Sequence, residues 1–226
     1  MGICRPFSDI DLYLQEIADQ RICLVDTNFL IAVADKEHQF HADAQFLHEK
    51  LSEYSVSVMV SVSARTEYID YQRRAVTTTA LMKMLSPNSK WKISAAVRDI
   101  LSKQRSWLNN QTRFDDSPYL TDARIKICRQ TFAPKNHSGQ MGWLEFCNEY
   151  LNGELEKAWR EVVELLPLNY VDMRSEDSKE FFRKELDWTE MYRVSEKTAI
   201  GSQDAMILNL LDASVFPFVV TMDYDM

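Results

Sequence analysis

Glycine and proline are scarce in this chain, at 5 and 6 of 226 residues, where glycine alone usually supplies ~7%. A turn-rich chain punctuated by glycine is thereby excluded, and abundant helix is expected. Cysteines number only four, at positions 4, 23, 128 and 147, and none forms a Cys-x-x-Cys pair. Cys23 falls inside an apolar run, so reduced thiols in an intracellular, cytoplasmic protein are the simplest expectation. No stretch approaches the 18 apolar residues of a membrane span, and no long apolar core follows Met1-Gly2-Ile3-Cys4-Arg5. Neither a spanning helix nor a standard secretory signal is expected. Tandem repeats and low-complexity tracts are absent, and so is net positive charge: the balance is −8.

What is present supports a globular host, since 46% hydrophobic residues suffice for one substantial core or a core with a small lobe. The periodicity predicts a leading helix over Ser8 to Ala18, with Ser8 as its cap, then a strand over Arg21 to Asp26. Helices follow near Phe29 to Ala34 and Phe40 to Leu51, then a strand over Ser55 to Val62 and a helix running to about Leu85. Beyond a break at Pro87 to Lys90, helices are expected at Ile93 to Leu108 and Leu120 to Phe132. A loop spans Pro134 to Gly142, and one long helix runs from Trp143 to Leu166 with Gly153 weakening its middle. A strand over Leu168 to Met173, a helix over Ser178 to Val194, a helix after Ser202 and a strand over Phe218 to Met222 complete the series.

Four carboxylates occupy informative places in this order. The run Ile22, Cys23, Leu24, Val25 is stopped by Asp26 and followed by helix-compatible sequence, as in a buried parallel strand feeding a helix. Phe218 to Met222 lead into Asp223 in the same way. Ligands in such sheets collect outside the carboxyl ends of the strands. Asp204 sits in the first turn of a helix, where capping and the helix dipole alone would account for it. Glu67 borders the face formed by Ala64, Tyr68, Tyr71 and Ala75. A carboxylate half-sunk against apolar surface is costly unless paired or holding a metal.

The segments 24–31, 63–69, 202–208 and 219–225, centred on Asp26, Glu67, Asp204 and Asp223, resemble the four motifs of PIN-domain ribonucleases, especially the VapC-like toxins. The strip Asp35 to Leu47, with His38, His41 and Ala44, is similar to the loop and second helix those proteins place after the first Asp. The resemblance covers roughly residues 21 to 80 and 165 to 226. It implies an α/β fold: a PIN-like three-layer sandwich around a central, mainly parallel sheet, helix-rich overall. Glu67 and Asp204 stand 137 residues apart, wider than that compact family needs. A single domain over 1–226 with an inserted helical lobe at about 86–166 is therefore expected. The chain ends three residues after Asp223, where the family commonly continues into a further short strand. Either that sheet edge is trimmed or the sequence is a piece of a longer chain.

The resemblance implies a metal-dependent endoribonuclease in which Asp26, Glu67, Asp204 and Asp223 hold Mg²⁺ or Mn²⁺, directly or through water. Clustered hard oxygen ligands suit such ions, and phosphodiester hydrolysis needs phosphate charge neutralised and a water activated. Without a cation the four acids would repel, and some would take up protons. Asn28 and Thr221 are supporting polar neighbours that position water or phosphate. Asp225 is read as a tail residue, and Asp187, Glu190 and the loop residue His137 as solvated groups. A small antitoxin occupying the acidic crevice and a homodimer are the partners the resemblance brings with it.

Charge is unevenly spread. Residues 65 to 135 carry 14 Lys and Arg against 6 Asp and Glu, whereas the rest of the chain has 12 against 28. Phosphate binding follows local basic surface rather than net charge. The segment reads as an RNA-gripping lobe, with Arg65, Arg73 and Arg74 nearest the second motif. Lys90, Lys92, Arg98, Lys103, Arg105, Arg124, Lys126 and Arg129 follow, with Trp91 and Trp107 for base stacking. The plainer account makes these ordinary solvated faces and core tryptophans. Three alternatives stay open: an RNase H-like nuclease, a DNA-cleaving one, and a PIN-fold interaction module without turnover.

Overall fold

The structure, a computed structural model, describes residues 6–17, 21–87, 89–111, 118–135, 139–171, 179–198 and 200–222. Cys4, His137, Asp223 and Asp225 lie outside the described residues. The chain divides into two compact units, one of Met1–Tyr68 with Arg160–Met226 and one of Ile69–Trp159.

The first unit is α/β. After a short 3-10 turn at Phe7–Asp9 come α1 (Ile10–Glu16), β1 (Ile22–Val25), α2 (Thr27–Ala34), α3 (His41–Glu53) and β2 (Ser57–Ser61), then the start of α4 (Val62–Lys83). Four further helices, α5 (Ala95–Gln111), α6 (Asp122–Thr131), α7 (Trp143–Tyr150) and α8 (Glu154–Leu165), precede β3 (Leu168–Val171). The chain then forms α9 (Trp188–Thr198), α10 (Ser202–Ala213) and β4 (Val219–Val220). The four strands form one sheet in the order β3-β2-β1-β4, with every pairing parallel.

Cys23, Leu24 and Val25 of β1 and Val58, Met59 and Val60 of β2 are all buried. Successive strand residues face opposite sides, so both faces of the sheet are covered, which is why these strands read as unbroken apolar runs. On one face Leu24, Met59, Val171, Leu210 and Phe216 form a core joined by Phe181, Phe182 and Leu186. The strand order reverses at β1, with β2 and β3 to one side and β4 to the other. In open α/β sheets ligands collect at such a reversal, which here lies at the carboxyl ends of β1 and β4.

Several local expectations are corrected. The segment from Trp143 to Leu166 is two helices, not one, because Gly153 takes φ +77°, a left-handed conformation that no α-helix continues through. Residues 180–187 are not helical, and α9 begins only at Trp188. Phe181 and Phe182 are instead drawn into the core: Phe182 bridges Ser214, Val215 N–H donates to Phe181 O at 2.9 Å, and the Phe181 and Phe216 rings stack at 5.7 Å. Gly201, rather than Ser202, is the N-cap of α10, and Asp9, rather than Ser8, that of α1.

The second unit is helical. Leu81, Met84, Leu101, Leu120, Cys128 and Phe146 lie at the centre of its core. Phe146 packs at 5.1 Å from Trp143, 5.3 Å from Tyr150 and 5.9 Å from Phe132. Trp91 and Trp107 pack partly buried against this core, and the Arg124 guanidinium covers the Trp107 ring at 3.7 Å. Gly142 is obligatory, since a Cβ there would sit 2.3 Å from the Lys135 carbonyl carbon.

Candidate metal centre

Asp26 stands at the carboxyl end of β1 and serves as N-cap of α2, its Oδ1 accepting from Thr27 N–H at 2.6 Å. The other oxygen, Oδ2, accepts from Thr221 Oγ1 at 3.0 Å. Thr221 is brought there by β4, which is held against β1 through Leu24 N–H to Phe218 O at 3.1 Å and Asp26 N–H to Val220 O at 2.9 Å. Asp26 is only 3% exposed. An anion at a helix N-terminus is favoured by the dipole. Burial nonetheless prevails, and the Asp26 carboxyl is held above its ordinary value. The hydrogen bonds from Thr27 and Thr221 oppose that rise, and the charge of Asp204 adds to it.

β2 ends at Ser61, whose Oγ accepts from Ala64 N–H at 3.2 Å and caps the start of α4. That helix buries Ala64 and Tyr68 and so sets Glu67 at the border of its buried face. Glu67 Oε2 accepts a short hydrogen bond from Thr27 Oγ1, whereas Oε1 is buried without a partner. Burial raises the Glu67 carboxyl, and the charges of Asp26 and Asp204 raise it further. Asp204 occupies the first turn of α10, its Oδ2 lying 3.1 Å from where a Cβ on Gly201 would be. Any larger residue at 201 would press on that carboxylate.

Three of the four expected acids thus share one neighbourhood, each within electrostatic reach of the others. Asp223 falls outside the described residues, two positions past Thr221. Among the described residues no three Asp, Glu, His or Cys side chains meet closely enough to hold an ion unaided. A hard divalent cation does not require that. Mg²⁺ usually keeps several waters and takes only one or two carboxylates. An orphaned Glu67 Oε1 beside acids raised by burial and by one another's charge is a donor set of hard oxygens that such an ion would fit.

Of the supporting residues, Thr221 holds Asp26 itself. The Asn28 side chain is exposed, and it is its backbone N–H that stabilises the Asp26 carboxylate. Arg65 lies exposed on α4. Arg73 and Arg74 already have carboxylate partners in the second unit: Arg73 pairs with Asp70 at 2.8 Å and with Asp122, and Arg74 with Asp70 at 3.4 Å. His41 opens α3, and its Nδ1 donates to Ala32 O at 2.8 Å, closing the end of α2. Asp187 caps α9 by accepting from Thr189 N–H at 2.8 Å, and Glu190 pairs with Arg193 at 2.7 Å. The residue that sequence reasoning passed over is Thr27. Its only signal was a hydroxyl directly after the strand-end Asp. Comparison with family models, with curated proteins and with solved structures gives no match for this chain.

Proposed function

We propose that the first unit is a PIN-like, metal-dependent nuclease acting as an endoribonuclease. The observation that carries this reading is the gathering of Asp26, Glu67 and Asp204 beside the point where the strand order reverses, with Glu67 Oε1 buried and unpartnered. Asp26, Glu67 and Asp204, joined by Asp223, are the residues that would hold Mg²⁺ or Mn²⁺. When bound, such an ion neutralises phosphate charge and lowers the pKa of a water for attack on phosphorus. The chain's own part is to keep Asp26 ionised and oriented through Thr27 N–H and Thr221 Oγ1, and to hold Glu67 through the Thr27 hydroxyl. Burial of the acids makes the site depend on that cation, because charges of one sign in low dielectric repel.

Preference for RNA, a toxin role with a small antitoxin partner, a homodimer and a cytoplasmic location are proposals that follow from the motif resemblance. Among the described residues no helix is long and apolar enough to cross a membrane. Substrate grip is assigned to exposed basic residues of the second unit, among them Lys92, Arg98, Arg105, Lys126 and Arg129. Arg73, Arg74, Lys90, Lys103 and Arg124 are already paired or bonded there.

The test is cleavage of labelled structured RNA and single-stranded DNA in EDTA, Mg²⁺ or Mn²⁺, with wild type beside an Asp26→Asn, Asp204→Asn double variant. Metal-dependent cutting of RNA that disappears in the variant is the expected result. A well-folded wild type that cuts neither substrate would overturn the nuclease reading, and cutting confined to DNA would overturn the substrate assignment.

A further inference from the structure

Thr27 is bonded to two acids of the site, the buried Asp26 and the half-buried Glu67. Its backbone N–H donates to Asp26 Oδ1 at 2.6 Å, and its hydroxyl donates to Glu67 Oε2. The hydroxyl has one proton and two carbonyl-type neighbours, Ala64 O at 3.3 Å and the carboxylate of Glu67. The nearer, charged acceptor takes it. Thr27 is itself buried, at 6% exposure. The residue lies in the first turn of α2, whose axis is fixed by the fully buried Phe29 and Leu30. A β-branched side chain there has few rotamers, so the hydroxyl's position follows from the backbone.

Glu67 has no such constraint of its own, because it projects from a helix surface through a flexible stem. With Oε2 engaged by Thr27, the carboxylate cannot swing away, and the oxygen left over is Oε1, buried without a partner. We propose that Thr27 is the positioning residue of this site, its hydroxyl holding Glu67 so that Oε1 faces a divalent cation while its N–H holds Asp26 from the same residue. One residue thereby couples the acid at the end of β1 to the acid on α4, which stand 41 positions apart in the chain. Partners that orient metal-ligating groups in this way change metal affinity about 10- to 100-fold when removed. The inference rests on the metal-centre reading above.

The experiment is Mn²⁺ titration of the full chain at neutral pH, followed by electron paramagnetic resonance, without substrate. The set comprises wild type, Asp26→Asn, Thr27→Val, Thr27→Ser, Glu67→Gln and the Thr27→Val, Glu67→Gln double variant. Thr27→Val keeps the N–H bond to Asp26 and removes only the hydroxyl. It is expected to weaken Mn²⁺ binding about tenfold or more, Thr27→Ser to restore it, and Thr27→Val to cost nothing further once Glu67 is Gln. An equal loss in both backgrounds would assign Thr27 a merely structural role and overturn the proposal. So would wild-type affinity in Thr27→Val. If Thr27→Val fails to fold by circular dichroism, Thr27→Ala carries the same comparison. A wild type that binds no Mn²⁺ removes the metal-centre reading and the positioning role together. A wild type that binds, and loses binding in Asp26→Asn but not in Thr27→Val, removes the positioning role alone.

Discussion

The two units of this chain treat charge in opposite ways. In the first, Asp26 and Glu67 are taken out of water close to Asp204, and burial together with like charge holds both above their ordinary values. In the second, charges such as those of Arg73 with Asp70 and Asp122, or Lys103 with Asp99 at 2.7 Å, lie near the surface beside neighbours of opposite sign. The second unit's interior is given over to apolar and aromatic side chains around Phe146. Surface pairs of that kind contribute little to stability, so the helical unit stands on its core. The sheet-bearing unit has a core of its own and additionally retains acids that a folding optimum would discard. Strained electrostatics of that sort cluster where a protein binds or reacts.

The largest expected effect removes the acids. Asp26→Asn is expected to lower cleavage about a thousandfold, or ~4 kcal/mol of transition-state stabilisation, while Asp99→Asn in the second unit leaves the rate where it was. Single-turnover assays on both variants make the comparison, and equal rates would dissolve it. Next comes the core of the helical unit. Phe146→Ala should cost ~3–5 kcal/mol in urea unfolding, since the ring is fully buried among three aromatic neighbours.

A smaller effect follows from the raised acids. A carboxyl whose folded value lies above its unfolded one binds protons more tightly when folded. Its contribution to stability therefore falls as pH rises from the ordinary values of 3.8 for Asp26 and 4.5 for Glu67 through the raised ones. Thermal melts in EDTA should show that decline as pH rises above the ordinary carboxylate range, and Asp26→Asn should flatten it. Mn²⁺ at a hundred times its dissociation constant should then restore ~2.7 kcal/mol. Stability that climbs over this range in EDTA would contradict the burial of unpaired acids. The smallest effect is Lys103→Ala, which should leave the unfolding midpoint within measurement scatter, because both partners are about two-thirds exposed.

Much of the site could be read from the order of residues. A buried strand needs consecutive apolar side chains, so Ile22 to Val25 announced β1, and its abrupt end announced a carboxylate at the sheet edge. Glu67 was placed by helical periodicity, and Asp204 by the helix that follows it. Where the reading failed, a long-range contact prevailed over a local preference. Residues 180–187 carry helix-compatible sequence, yet Phe181 and Phe182 gain more by entering the core beside Phe216 than a short helix would return. Trp91 and Trp107, for which the sequence offered both base stacking and a core role, pack partly buried against the helical core.

Sequence alone determined most of the local vocabulary: which runs become strands, which of the longer periodic stretches become helices, and which acids close a strand or open a helix. These follow from backbone sterics and the burial of apolar periodicity, both of which act over a few residues. The tertiary structure alone decided that Thr221 holds Asp26 across 195 positions, that Thr27 reaches Glu67, and that Arg73 and Arg74 are already engaged by carboxylates. Such pairings depend on parallel strand order and on which side chains are shut away from water together, and neither is written in any short stretch of the chain.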